Sequence, residues 1–114
     1  MITGLDLNAT IDYTLKDDKE NPTVWKLGIV DSSLFARIHS QKDTVDMAFK
    51  YLQVALKGWE NRPTQFTKVK EKILGVELEV VPMAELNKLP LSIINELYAK
   101  AIEISNLTET ERKN

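Results

Sequence analysis

The sequence predicts a single α+β domain over residues 1–114: an N-terminal antiparallel hairpin, a central amphipathic helix, a second strand pair and a C-terminal helix. Two observations carry this prediction. Apolar residues recur with period two at the start of the chain, switch to a 3.6-residue period at about Thr44, and return to period two after Pro63. The length, 114 residues, suits one domain with its own core and is too short for two comfortable ones.

The first strand is the clearest element. Leu5, Leu7, Ala9, Ile11, Tyr13 and Leu15 alternate with Asp6, Asn8, Thr10, Asp12, Thr14 and Lys16. This pattern predicts a strand with the first set buried and the second wet. A polar connector, Asp17 to Pro22, leads to a second strand over Thr23–Val30, rich in β-formers. Asp31, Ser32 and Ser33 are candidate N-caps for a short helix over Leu34–Ile38.

Asp43 or Thr44 caps the central helix. Its apolar face is Val45, Ala48, Phe49, Leu52, Ala55, Leu56 and Trp59, widened by Met47, Tyr51 and Val54. A stripe this broad predicts contact on two sides, either within the domain or with a partner. Gly58 ends the periodic run and is expected to supply a left-handed terminator, leaving Trp59 at the helix end.

Arg62-Pro63-Thr64 breaks the chain. Residues 65–74 read two ways. Phe66, Val69 and Ile73 have helical spacing, whereas Val69, Glu71 and Ile73 alternate with Lys68, Lys70 and Lys72. Val76, Leu78 and Val80 alternate with Glu77 and Glu79, so two strands meeting near Gly75 is the preferred reading, with lysines opposed to glutamates on the solvent face. Pro82 stops the second of these strands, and Met83–Asn87 predicts one helical turn. Pro90 opens the last helix, whose apolar face is Leu91, Ile94, Leu97, Tyr98 and Ala101. Ser105-Asn106 is expected to end it. Thr108 and Glu111 have capping-box spacing and announce another helix, and the tail at 107–114 is too short to be stable unless it docks.

Composition narrows the chemistry. The formal charge is −2 and the pI about 5.4, without the basic excess of a general nucleic-acid binder. Cysteine is absent, which removes disulfides and thiolate-bound metals. No apolar run approaches a membrane span and no basic-then-apolar leader opens the chain. His39 is the single histidine and reads as a surface or capping residue, since metal sites need several converging ligands. The glycines at 4, 28, 58 and 75 form no phosphate loop, and Ser32, Ser33 and Ser40 lie in no nucleophile elbow. Asp17-Asp18 with Glu20 lacks a calcium-loop pattern. Lys68, Lys70 and Lys72 have no interleaved aromatics to stack bases and read as a solvated strand face. No catalytic, metal or cofactor residues are therefore expected. Trp25 reads as core. Trp59 reads as either core or contact, because tryptophan is enriched at binding hot spots.

Three stretches in order resemble a known group. They are Pro22-Thr23-Val24-Trp25-Lys26-Leu27-Gly28, then Lys57-Gly58-Trp59-Glu60-Asn61, then Leu89-Pro90 through Glu96-Leu97 with Ile102, Ser105-Asn106-Leu107-Thr108 and Glu111 to Asn114. The set resembles small proteins of the structural-gene blocks of tailed bacteriophages and prophages, most of all the tail assembly chaperones. The resemblance implies a non-enzymatic protein that coats the helical tape measure protein while tail-tube subunits assemble around it. It implies the tape measure protein as partner, with the tail tube protein and self-association as further contacts, and neither nucleic acid nor membrane. It also implies a place in the bacterial host cytoplasm and absence from the mature virion. The alternatives are a structural head–tail or tail-completion protein, and a phage regulator of a host protein. The candidate protein-binding residues are Trp59, Tyr51, Leu107 and Thr108.

Overall fold

In the computed structural model, residues 8–113 are described at the backbone and residues 8–105 at the side chains. The predicted α+β fold is the observed one. Strands β1 (Thr10–Tyr13) and β2 (Val24–Gly28) form the N-terminal antiparallel hairpin, followed by helices α1 (Ser32–His39) and α2 (Thr44–Ala55). Strand β3 (Leu56–Glu60) then returns to β2, giving a three-stranded antiparallel sheet with β2 in the centre. A separate hairpin, β4 (Val69–Ile73) and β5 (Val76–Val80), precedes α3 (Met83–Asn87) and the long helix α4 (Leu91–Lys113).

Local chemistry explains the helix starts. The Asp31 carboxylate accepts from Leu34 N at 3.1 Å, and the Asp43 carboxylate accepts from Val45 N and Asp46 N at 3.0 and 3.1 Å. Both satisfy amide groups that the first helical turn leaves open. Helix α3 has no cap from Pro82. Instead Glu71, reaching over from β4, accepts from Met83 N at 3.2 Å.

Four sequence expectations are corrected. The first is the helix end. Helix α2 stops at Ala55, and Leu56 is already extended at φ −79°, ψ 108°. Gly58 lies in β3 rather than at a left-handed cap. Leu56 pairs with Leu27 and Trp59 with Trp25, with a register shift between Lys26 and Leu27. The extra residue, Lys57, puts Leu56 and Trp59 on the same side of a bulged strand. Their spacing of three, which mimics a helix, is produced by that bulge.

The second correction concerns β1. The alternation predicted burial of one whole face, but Ile11 is 48% exposed while Tyr13 and Leu15 pack on the core. Ile11 sits opposite Leu27 and shares its face, yet β1 is an edge strand and the helical layer covers only its Tyr13 end. Leu5 and Leu7 lie outside the described residues. The third correction is that Ser105-Asn106 does not end α4. Its backbone stays helical through Lys113, so no new helix begins at Thr108. The fourth concerns His39, expected at the surface or as a cap: it does bond a carbonyl in the last turn of α1, Phe35 O, but it is part-buried among aromatic rings and not at the surface.

The second strand pair forms as predicted. Leu74 (φ 50°) and Gly75 (φ 85°) make its two-residue turn, with the opposed pairs Lys70↔Glu79 and Lys72↔Glu77. The core gathers Trp25, Leu27, Ile38, Leu52, Leu56, Ile73, Val81, Leu86, Ile94 and Leu97, so most of the apolar stripe of α2 is consumed inside the domain, with Val45 at its first turn left half exposed.

Candidate functional site

The four predicted binding residues fall in two different settings. Trp59 is 8% exposed and Tyr51 fully buried, so neither presents a face to a partner. The Trp59 indole donates to Thr64 O at 2.7 Å and meets Trp25 and Phe66 edge-on, at 6.0 and 4.8 Å between ring centres. The Arg62 guanidinium stands 4.3 Å from the Trp59 ring centre and 5.1 Å from that of Trp25, a cation–π stack that closes over the tryptophans. Burial lowers the Arg62 pKa from its ordinary value, opposed by the nearby Glu85 carboxylate. Leu107 and Thr108 lie on the helical backbone of α4, beyond the described side chains.

Tyr51 belongs to a second aromatic cluster that joins α1, α2 and α4. Its ring meets Phe35 and Tyr98 edge-on at 5.6 and 5.5 Å. The Tyr51 hydroxyl is 2.9 Å from Ser105 Oγ. His39 Nδ1 lies 2.9 Å from Phe35 O and His39 Nε2 lies 2.9 Å from the Tyr98 hydroxyl. A carbonyl can only accept, so Nδ1 carries the proton. In the neutral ring Nε2 then accepts from Tyr98. Burial raises the Tyr98 pKa, which keeps the phenol a donor. The histidine is held as a structural connector.

Two polar links were not foreseen. Gln53, 2% exposed, donates to Glu71 Oε1 at 3.2 Å and Val81 O at 3.1 Å. Glu71 occupies the same strand side as Val69 and Ile73, and that alternation was the available signal for an inward carboxylate. At the other end of the molecule, Glu96 Oε2 accepts from the Tyr13 hydroxyl at 2.6 Å and from Lys16 N at 2.9 Å. These bonds tie β1 to α4 and lower the Glu96 pKa. Tyr13 is raised from the ordinary 10 to about 12, by burial first and then by Glu96.

Among the described residues, no group of three or more His, Cys, Asp or Glu side chains is placed to hold a metal. The surface offers shallow grooves instead. One of about 400 Å³ lies between α1 and β5, lined by Asp31, Ser33, Leu34, Arg37, Val76 and Leu78. Another, of about 370 Å³, lies between the β1–β2 connector and α4, with Leu15 and Ile93 beside Asp17, Asp18 and Glu96. Such grooves suit side chains of another macromolecule better than a small reactive substrate, which is usually enclosed.

No family model, no curated protein and no solved structure matches this chain. Among the described residues, no helix is long and apolar enough to cross a membrane.

Proposed function

We propose that this chain is a non-enzymatic tail assembly chaperone of a tailed phage or prophage, which binds the tape measure protein during tail morphogenesis. The observation that carries this reading is the placement of the three stretches that resemble the family. Pro22–Gly28 contains β2, Lys57–Asn61 falls on β3, and the third stretch forms α4. Trp25 pairs with Trp59, Thr23 Oγ1 donates to Asn61 O at 3.0 Å, and Asn61 Nδ2 donates to Asn21 O at 2.7 Å. Helix α4 packs on α2 and β2. The stretches thus lie together in one framework of β2, β3 and α4, an arrangement compatible with the resemblance.

The chemistry of the described residues supports binding rather than reaction. The single histidine is engaged with Phe35 O and Tyr98, and cysteine is absent. The tape measure contact is assigned to the last two turns of α4, which include Leu107 and Thr108. The helical backbone of α4 carries Leu107 and Thr108 past Ser105, the last residue whose burial is described.

Co-expression with the tape measure protein of the same gene block tests this. Pull-down should recover the pair, and mass spectrometry of purified virions should find the tape measure protein but not this chain. Stoichiometric retention in virions would instead identify a structural head–tail or tail-completion protein. Failure to recover the tape measure protein would remove the chaperone reading.

A further inference from the structure

The β4–β5 hairpin stands outside the three-stranded sheet, and its β5 side borders α1. We propose that the open edge of β5, with the groove between β5 and α1, receives an extended peptide segment whose side chains alternate between apolar and basic. This inference does not rest on the chaperone reading.

The backbone geometry comes first. Leu74 and Gly75 both have positive φ, which defines a two-residue turn flanked by Ile73 and Val76. The residues flanking such a turn exchange hydrogen bonds, and pairs then alternate along an antiparallel ladder. Ile73↔Val76 and Glu71↔Leu78 are therefore bonded pairs, while Lys72↔Glu77 and Lys70↔Glu79 are not. The N–H and C=O groups of Glu77 and Glu79 consequently point away from β4. Among the described residues nothing pairs with them, because β5 is an edge strand with no further backbone bond. An unpaired edge is a template for an added strand.

The side chains on either side of this edge differ in kind. On the inner side Val76 and Leu78 are half-buried and line the groove with Leu34 of α1, in a space of about 400 Å³. On the outer side Glu77 and Glu79 are exposed, and neither forms an ion pair with the lysine opposite it. A strand laid along β5 places every second side chain on each face. Its inward residues meet Leu34, Val76 and Leu78, which selects apolar groups. Its outward residues meet Glu77 and Glu79, which selects lysine or arginine. Asp31 and Arg37 both line the α1 wall and offset each other in charge, so the inward preference is set by the three apolar residues. A helix in the same groove would satisfy its own backbone and leave the β5 edge unpaired. Strand addition engages the edge and the groove together, the mode in which main-chain bonds give affinity and alternate side chains give specificity.

The test uses a fluorescein-labelled peptide of about eight residues, made of Lys-Val repeats, with the full chain. Anisotropy measures binding, and amide chemical shifts of the labelled protein map it. Binding should perturb Val76 to Val80 and Ser33 to Arg37. A peptide of the same composition in block order should bind about tenfold more weakly. Methylating the amides along one edge of the repeat peptide should abolish binding, while methylating the opposite edge should not. Glu77→Lys with Glu79→Lys should weaken the Lys-Val peptide about tenfold and favour a Glu-Val peptide instead. The inference is overturned if no binding is seen at about 1 mM peptide, or if the shifts map elsewhere. It is equally overturned if both methylated peptides bind like the parent. The methylation arm decides the matter even if the charge-reversed variant fails to fold.

Discussion

Trp59 shows how far one side chain's role depends on its setting. At a helix end its ring would be free to meet a partner. In β3 it is enclosed by Trp25, Phe66 and Arg62. Trp59→Ala should therefore destabilise the domain by about 3–5 kcal/mol, seen as a lowered midpoint in urea unfolding. A variant that melts like the wild type would show that the ring is not core. Tyr13 offers a second check at this scale. Its phenol should titrate near 12 by NMR of labelled tyrosine, and Glu96→Ala should bring it back toward 10. The folded pKa is raised above the unfolded value, so this contribution to stability is full below pH 10. It is lost as pH rises from about 10 through about 12. The stability difference between the wild type and Glu96→Ala should narrow across that interval without vanishing, because Glu96 keeps its bond from Lys16 N.

At the scale of elements, the β4–β5 hairpin depends on its turn. Gly75 has φ 85° and open space around its missing Cβ. A side chain there meets no neighbour but forces the left-handed backbone on an L residue. Gly75→Ala should cost about 1–2 kcal/mol with no change in the packing of Ile73 or Val80. A cost near zero, measured by thermal unfolding, would contradict the turn geometry. The hairpin was readable because its signals are local: alternating residues on each arm and a glycine between them. The bulge in β3 was not readable, because Lys57 is extra only relative to the register of β2.

At the scale of the whole molecule, one core joins the sheet to α1, α2, α3 and the first four turns of α4. Among the described side chains, Ile94, Leu97, Ala101 and Ile104 supply the buried face of α4. Removing residues 107–114 should leave the circular dichroism spectrum folded and reduce recovery of the tape measure protein in pull-down. A truncated chain that unfolds would place those turns in the core. One that binds undiminished would move the contact to another surface. The candidate sites were less legible than the fold. Trp59 and Tyr51 were singled out by residue type, and their type is what places them among other aromatics inside.

The sequence by itself determined the α+β class, the two capping clusters from which the structure selects Asp31 and Asp43, the two strands around Gly75, and the short turn at Met83. Each rests on interactions between residues a few positions apart, which periodicity and capping chemistry report directly. Only the tertiary structure decided where α2 becomes β3, which part of β1 is covered, and that α4 runs on past Ser105. The last case shows the reason. Serine at 105 reads locally as a helix end because its hydroxyl competes for backbone groups. Here that hydroxyl is paired with Tyr51, fifty-four positions away, so the backbone is left to its helix and the residue is buried within it.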